Sequence, residues 1–398
     1  FKASYGLTGH VQIGEYNDRF YYLSQVTLNS SDRNVNWGTQ LNYNPGGIIV
    51  DRYANDEIGW EKSYKLNVGA EMRTVFGLSA NVEYFTERRE NILLNRIIPN
   101  TMGIIPDVKA NLGKAKGKGV DMELNYEKSF NKDLWITGRG TFTYATSEAV
   151  EWEEPDYSET PWLSKVGKSL GQTWGYIAER LFVDEEEVKN SPTQFGEYMA
   201  GDIKYRDVNG DGKISELDKV PIGYPTTPEI NYGFGLSVGY KGLDASFFFQ
   251  GSGRQSFWLD LKKITPFLDG DAGENGEDGL LGQNAVLDVI ANSYWSENNR
   301  NPYAFWPRLA NQSVENNNQT STWFMQDATF LRLKSVEIGY TVPKNLVKKF
   351  KVQNLRFYVS GTNLLCWSKF KLWDPEMAGN GLGYPVQRVI NVGLNLGF

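Results

Sequence analysis

The stretch that decides the fold runs from residue 232 to residue 250, YGFGLSVGYKGLDASFFFQ. Up to Tyr240, bulky apolar side chains alternate with glycine or serine, the period of two typical of a β-strand with one apolar face. Lys241-Gly242 is a two-residue turn signal, and a second strand follows over residues 244–250. This segment therefore predicts a β-hairpin.

The same alternation recurs along the chain. One further hairpin joins residues 65–72 to residues 78–84 through Phe76-Gly77, and another joins residues 120–127 to residues 134–144 through Asn131-Lys132-Asp133. Three more strands are predicted, at residues 329–341, 354–363 and 389–398. The sequence thus predicts about ten strands, the last of which ends on Phe398.

The connections between these strands alternate in length. Long polar segments at residues 91–116, 148–228, 257–322 and 368–384 alternate with short turns. Soluble β-sandwiches distribute loop length more evenly, whereas outer-membrane barrels have short periplasmic turns and long extracellular loops. We therefore expect an all-β protein, a transmembrane antiparallel β-barrel whose C-terminus lies on the periplasmic side.

The composition agrees with strands rather than helices as membrane spans. Hydrophobic residues make up 40% and the mean hydropathy is −0.47. No stretch approaches the roughly 18 unbroken apolar residues of a membrane-spanning helix, whereas a barrel strand needs only about 10 residues with alternate apolar positions. The 22 Tyr, 12 Trp and 21 Phe are typical of aromatic belts at membrane interfaces.

Charge and residue usage exclude several functions. The net charge of −7 argues against a nucleic-acid partner. One cysteine, Cys366, and one histidine, His10, leave no disulfide framework, no Cys/His metal cluster and one candidate for a His-dependent triad. The acidic segments 151–154 and 184–187 are interpreted as solvated loop charge rather than a glycosidase pair. We predict no catalytic residue.

The loops carry tryptophans that allow two interpretations. Stacking on sugar rings and placement at the membrane interface both suit Trp. The residues concerned are Trp152, Trp162, Trp295, Trp306 and Trp323.

One loop segment matches a metal-binding pattern. Asp207, Asn209 and Asp211, followed by Gly212, occupy positions 1, 3, 5 and 6 of a calcium loop, and Lys213 would add its carbonyl. Position 12 is Asp218 instead of the usual glutamate, which shortens its reach. The segment predicts a structural Ca²⁺ site, and the alternative is an Asx-rich turn without metal.

Several motifs resemble the SusC/RagA family of TonB-dependent outer-membrane transporters, in the order of that family's C-terminal half. They are YGLTG (5–9), WEKSY (60–64), GKGVDMEL (117–124), GDIKYRDVNGDG (201–212), FFFQG (247–251), FLRLKSVEIGY (330–340), YVSGTNLL (358–365) and WDPE (373–376).

The resemblance implies a function and partners. It implies a 22-stranded barrel in an outer membrane of a Gram-negative bacterium, with this chain as the C-terminal part of the barrel, residues 1–398. The plug domain, the TonB box and the first strands would belong upstream of Phe1. The implied activity is TonB-driven import of oligosaccharides or peptides together with a SusD-like surface lipoprotein. Its partners would be that lipoprotein, TonB, the remaining barrel and plug, the glycan or peptide, and outer-membrane lipid.

Two alternatives remain open at the level of sequence. A soluble, calcium-stabilised carbohydrate-binding β-protein would account for the Asp207 segment and the aromatic residues. An outer-membrane barrel hydrolase would need a nucleophile motif such as Gly-x-Ser-x-Gly, which the sequence lacks.

Overall fold

The computed structural model describes residues 1–10, 20–104, 107–267, 284–347 and 352–397. Within them, ten strands form one antiparallel sheet. Numbered among all strands in chain order, these are β1 (Lys2–His10), β4 (Glu61–Arg73), β5 (Leu78–Asn95), β6 (Lys109–Ser129), β7 (Leu134–Glu151), β12 (Ile230–Tyr240), β13 (Leu243–Gly253), β16 (Phe330–Thr341), β17 (Asn354–Ser368) and β18 (Val389–Gly397).

The remaining elements lie in the connections. The short strands are β2 (Gln25–Ser30), β3 (Gly47–Arg52), β8 (Thr173–Gly175), β9 (Ala178–Leu181), β10 (Ile203–Tyr205), β11 (Val220–Ile222), β14 (Ser256–Trp258) and β15 (Met325–Asp327). The helices are α1 (Glu185–Lys189), α2 (Leu261–Ile264), α3 (Asp288–Asn292) and α4 (Lys344–Val347), and 3-10 turns occur at Ser31–Arg33, Asn100–Met102, Pro161–Leu163, Glu216–Asp218, Asn316–Asn318 and Pro375–Met377. Among the described residues, none of the helices has the length and hydrophobicity of a membrane span.

Strand order in the sheet follows the chain, and long and short connections alternate as predicted. The order is β1-β4-β5-β6-β7-β12-β13-β16-β17-β18. Five long connections, 11–60, 96–108, 152–229, 254–329 and 369–388, lie at one end of the sheet, and four short ones, 74–77, 130–133, 241–242 and 342–353, lie at the other. The predicted hairpins are confirmed, and Phe398 lies outside the described residues.

The predicted loop boundaries were wrong in places, most of all at 91–116. There β5 runs on to Asn95 and β6 begins at Lys109, so that the connection is shorter than predicted and covers residues 96–108. Charged and glycine residues hid these strand ends because they break the apolar alternation, yet backbone pairing continues through them, with irregularities after Arg89. At 148–228, strand β7 extends to Glu151, and at 368–384 strand β18 begins only at Val389.

The hairpin turns have the backbone geometry their residues favour. Lys241 and Gly242 have φ values of +50° and +88°, the positive values that a two-residue turn of the primed type requires. In the 130–133 turn, the Asn131 side chain accepts hydrogen bonds from the backbone N–H groups of Asp133 and Leu134, each at 2.8 Å. Local sequence therefore fixes the register of both hairpins.

The two faces of the sheet differ in chemistry. Directly paired residues such as Val82 and Met122 on β5 and β6, or Val359 and Val392 on β17 and β18, form an apolar face that is exposed to the surroundings. The opposite face carries polar and charged residues, among them Glu83. An exposed apolar face of this extent is expected where lipid covers it, and a water-soluble protein rarely presents one.

The polar face uses glycine to make room for aromatic rings. A Cβ atom at Gly393 on β18 would lie 2.2 Å from Cζ of Tyr358, which leans across from β17. Because that distance is far below van der Waals contact, glycine is required for this close packing.

The hydrophobic core lies in the long connections and not in the sheet. Buried side chains of 152–229, 254–329 and 369–388 form one cluster, which we call the loop subdomain. Its members include Tyr176, Leu181, Ile203, Tyr205, Ile214, Leu259, Ile264, Ile290, Trp295, Trp306, Phe324 and Phe370. These segments were predicted as polar loops because their apolar residues have no regular period, and only tertiary contacts bring them together.

Candidate functional site

The loop subdomain is joined across connections by a buried carboxylate. Asp202 is fully buried and accepts hydrogen bonds from the Met199 backbone N–H at 2.9 Å and from the Asn317 side-chain amide at 2.8 Å. Its Oδ1 lies 2.9 Å from Nε of Arg308, close enough for an ion pair although the angle is not that of an aligned hydrogen bond. Burial raises the pKa of the Asp202 carboxyl, and the Arg308 guanidinium opposes that rise.

A buried asparagine provides the second junction. The Asn316 side chain is fully buried, donates to the Ile203 carbonyl at 2.7 Å and accepts from the Phe195 N–H at 3.3 Å. The backbone carbonyl of Asn316 accepts a hydrogen bond from the Tyr205 hydroxyl at 2.8 Å. Residues about 110 positions apart in the chain therefore share one hydrogen-bonded network, and a fully satisfied network of this kind rigidifies its surroundings.

The segment predicted to bind calcium is a tight, self-bonded turn. The Asp207 carboxylate accepts from the N–H groups of Gly210 at 2.7 Å and Gly212 at 2.8 Å. The Asn209 side chain accepts from the Asp211 N–H at 3.0 Å, and Asp211 in turn accepts from the Lys213 N–H at 2.9 Å. These bonds curl the first half of the loop so that Asp207, Asn209 and Asp211 are neighbours on the surface.

Asp218, the residue predicted at position 12 of the calcium loop, is held by backbone N–H groups. It is fully buried, and its Oδ1 accepts from the Val208 N–H at 2.8 Å, while its Oδ2 accepts from the Ser215 N–H at 2.7 Å. It thereby completes a capping box with Ser215. Among the described residues, no group of three or more His, Cys, Asp or Glu side chains converges as a metal site. The donor set thus fits a cation only in part, through Asp207, Asn209, Asp211 and the Lys213 carbonyl.

The acidic segments are structural rather than merely solvated. Asp184 caps helix α1 by accepting from the Glu187 N–H at 2.8 Å. Glu187 itself pairs with Arg180 at 2.6 Å and with Lys204 at 3.0 Å. In the other segment, Glu153 pairs with Arg96 at 2.8 Å. Sequence reasoning missed these partners because they lie on other elements.

The five loop tryptophans fall into different environments. Trp295 and Trp306 are buried in the loop subdomain, and Trp323 packs against it. The indole N–H of Trp162 donates to the Leu217 carbonyl at 2.8 Å. Trp295 and Trp306 therefore offer no open ring face, and of the three partly buried tryptophans, Trp152 is the one that lines a cavity.

Trp152 lines a cavity of about 250 Å³ at the long-connection end of the sheet. Its wall combines two indoles with polar side chains, and Ala149 on β7 is among its lining residues. The lining residues are Ala149, Trp152, Lys165, Ser169, Leu170, Gln172 and Trp174. An aromatic wall with a few polar groups is the usual make-up of a small-ligand site.

A buried arginine ties the last long connection to the sheet. Arg332 on β16 is 2% exposed and contacts the carboxylates of Asp374 at 2.6 Å and Glu376 at 2.9 Å. Arg332 and these two acids belong to two of the motifs that carried the family resemblance. These motifs could not be recognised as partners from sequence, because 42 residues separate Arg332 from Asp374.

His10 is placed as a structural residue would be. It ends β1, is exposed, and its Nδ1 lies 3.7 Å from Glu61 on the neighbouring β4.

The sheet and its loops have the fold of part of an outer-membrane β-barrel. No protein-family model matches the chain. The chain is similar over its whole length to TonB-dependent receptor P26 of Formosa agariphila, at 28% identity over 429 residues, and to TonB-dependent receptor P3 of the same organism, at 25% over 425 residues. It is also 22% identical to TonB-dependent receptor SusC of Bacteroides thetaiotaomicron. The chain spans 37–39% of the length of these relatives.

A solved structure agrees on the fold. The RagAB peptide transporter matches with a TM-score of 0.66 at 23% identity, over 99% of this chain and 40% of that one. The predicted resemblance to the SusC/RagA family of TonB-dependent outer-membrane transporters is therefore confirmed. The predicted all-β class and the antiparallel sheet of a barrel fold are confirmed with it.

Proposed function

We propose that this chain is part of a TonB-dependent importer that carries oligosaccharides or peptides across the outer membrane. One observation carries the proposal: a ten-stranded sheet with an exposed apolar face bears a packed loop subdomain at one end, and the whole chain is similar to TonB-dependent receptors. A lipid-facing sheet holds position in the membrane, while a folded loop layer controls what enters. The chain has no catalytic role in this scheme.

The proposed orientation follows from the connections. The long connections face the outside of the cell, and the short turns face the periplasm, where the C-terminus also lies. TonB would act from the periplasmic side through parts of the importer outside these ten strands.

The loop subdomain is the proposed docking surface for a SusD-like lipoprotein. A partner that covers the barrel mouth needs a surface of fixed shape, and the Asp202 and Asn316 junctions hold two long connections, 152–229 and 254–329, as one unit. The intact importer should therefore co-purify with its lipoprotein from outer membranes. Recovery of the importer alone, with the lipoprotein present in the same membranes, would contradict this part of the proposal.

The cavity at Trp152 is the proposed point of substrate contact. Its indole offers an apolar plane to a sugar ring or an apolar peptide side chain, and Lys165 and Gln172 supply polar groups beside it. The Trp152→Ala variant should lower uptake at limiting substrate. Trp37→Ala is the matched control, since Trp37 is 58% exposed and lies in the 11–60 connection.

Uptake by whole cells tests the function and its energy source. Cells that express the intact importer are supplied with fluorescently labelled oligosaccharides and, separately, labelled peptides. Accumulation should depend on both the importer and TonB, and the substrate class should emerge from which label accumulates. Uptake that persists when either protein is removed would refute the proposal.

We also propose that the turn around Asp207 binds a structural calcium ion. It would be held by Asp207, Asn209, Asp211 and the Lys213 carbonyl, and its effect would be to stiffen this part of the loop subdomain.

A further inference from the structure

The outward face of four neighbouring strands changes chemistry towards the long connections. Across β4, β5, β6 and β7, one row of cross-strand partners is apolar or aromatic: Val68, Tyr84, Val120 and Tyr144. The next row is Leu66, Thr86, Lys118 and Thr146, and the row beyond it is Tyr64, Arg88, Lys116 and Glu148. On β6 the change from apolar to charged takes two residues, from Val120 to Lys118. On β5 and β7 it takes four residues, to Arg88 and Glu148, and on β4 the first charged outward residue is Lys62.

The end of this outward face that lies next to the long connections carries four cations, which we call the basic band: Lys62, Arg88, Lys116 and Lys118. All four are exposed. Arg88 pairs with Glu90 at 2.8 Å and Lys116 with Glu148 at 2.5 Å, while Lys62 and Lys118 have no ion pair within the described chain. Four cations against two carboxylates leave an excess of two positive charges.

The geometry of the sheet places the basic band at the depth of lipid headgroups. A step of two residues along a strand is about 7 Å, so the cations begin one step beyond the last apolar row. Tyr64, Tyr84 and Tyr144 lie in the same zone, and tyrosine is enriched where hydrocarbon gives way to headgroups. Directly opposite residues such as Arg88 and Lys116 have Cβ atoms about 5 Å apart, which lets one anion contact both.

The band is local and does not encircle the sheet. The outward positions of β12 are Ile230, Tyr232, Phe234, Leu236, Val238 and Tyr240, and those of β18 are Ile390, Val392, Leu394 and Leu396, all uncharged. A general need for charge at the membrane boundary would place cations on these strands as well. Their confinement to three adjacent strands, β4, β5 and β6, indicates a site.

We propose that the basic band binds the phosphorylated headgroup of a lipid whose acyl chains lie on the apolar face below it. A phosphate monoester carries the negative charge that two or three closely spaced cations recognise, and the adjacent apolar rows hold the chains. The inference rests on the proposed membrane placement, not on which nutrient is imported.

The test measures lipid retention by native mass spectrometry. The intact importer is purified in detergent and offered phosphatidic acid, diacylglycerol with the same acyl chains, or inorganic phosphate. The Arg88→Gln/Lys116→Gln/Lys118→Gln variant is compared with a control that loses three exposed loop lysines, Lys168→Gln/Lys189→Gln/Lys371→Gln. Heat-modifiable migration on gels confirms that each variant retains a folded barrel.

Wild type and the loop control should retain phosphatidic acid well above diacylglycerol, and the band variant should bind it roughly 100-fold more weakly. Equal retention by the folded band variant would overturn the site while leaving membrane placement intact. If inorganic phosphate binds as tightly as phosphatidic acid, the proposal that the bound phosphate belongs to a lipid is overturned. A wild-type protein that retains neither lipid and stays soluble without detergent would instead overturn the membrane placement itself.

Discussion

The sharpest consequence of the structure concerns the buried ion pair that joins two long connections. Arg308→Met keeps much of the aliphatic stem and removes the guanidinium, which leaves the fully buried Asp202 carboxylate with only neutral donors. Removing one partner of a buried pair costs about 3–5 kcal/mol. The side chain of Arg308 is 20% exposed, so we expect the lower end of that range, about 3 kcal/mol of local stability.

Hydrogen exchange is the suitable assay because it reports local opening of the loop subdomain separately from opening of the sheet. A loss of about 3 kcal/mol raises the opening constant roughly 150-fold, to be read on peptides that contain Ile203 and Asn317. Arg300→Met is the matched control in the same connection. Its partner Glu297 is 71% exposed and Arg300 is 48% exposed, so exchange should change by less than about 0.5 kcal/mol.

The pH dependence gives an independent check on the cause. Burial already raises the pKa of Asp202, and without Arg308 that pKa lies further above its value in the unfolded chain. As the pH falls, the folded loop therefore takes up a proton before the unfolded chain does, so the penalty is full above the folded pKa and is relieved as the pH falls through it. Unchanged exchange in Arg308→Met, an equal effect in Arg300→Met, or a penalty that grows in acid would each refute the reasoning.

Three further experiments separate local roles. Asn316→Ala should cost about 1–3 kcal/mol because it leaves the buried Ile203 carbonyl and Phe195 N–H unpaired, whereas the exposed Asn311→Ala should be silent in the same exchange experiment. Asp218→Ala should loosen the turn with or without calcium, because Asp218 accepts hydrogen bonds from two backbone N–H groups of the turn. Asp211→Asn should leave the turn folded and abolish any heat of calcium binding in calorimetric titration. Unchanged calcium binding by Asp211→Asn would exclude the proposed ligand set. Val359→Arg, on the outward face of β17, should destabilise the barrel in lipid by about 2–4 kcal/mol in urea titration. The control Ser360→Arg, on the opposite face, should destabilise it less. Equal losses of stability would argue against lipid at the outward face.

Much of the sheet could be predicted from local pattern alone. The run 232–250 specified both strands, their faces and a turn with the required positive φ values at Lys241 and Gly242. The ends of β5 and β6 could not be predicted in this way, because Arg88, Glu90 and Lys116 interrupt the apolar alternation while backbone pairing continues. Strand pairing depends on the neighbouring backbone as well as on side-chain pattern.

The candidate site was far less predictable. The Asp207 segment was recognised from its spacing, but the burial of Asp218 and its bonds to backbone N–H groups depend on how the turn closes. Trp295 and Trp306 looked like exposed aromatics and proved to be core residues, because their apolar partners lie on distant segments. The sequence likewise contained no indication that Arg332 contacts Asp374.

The sequence by itself determined the faces of the strands, the hairpin registers and the alternation of long and short connections, because each of these depends on residues a few positions apart. Only the tertiary structure decided that the long connections form one packed subdomain, and which carboxylates pair, cap or remain free. Those outcomes depend on burial and on partners tens to hundreds of residues away, for which a linear pattern provides no signal. The basic band is of the same kind, since its cations come from three strands and become one surface only when the sheet pairs them.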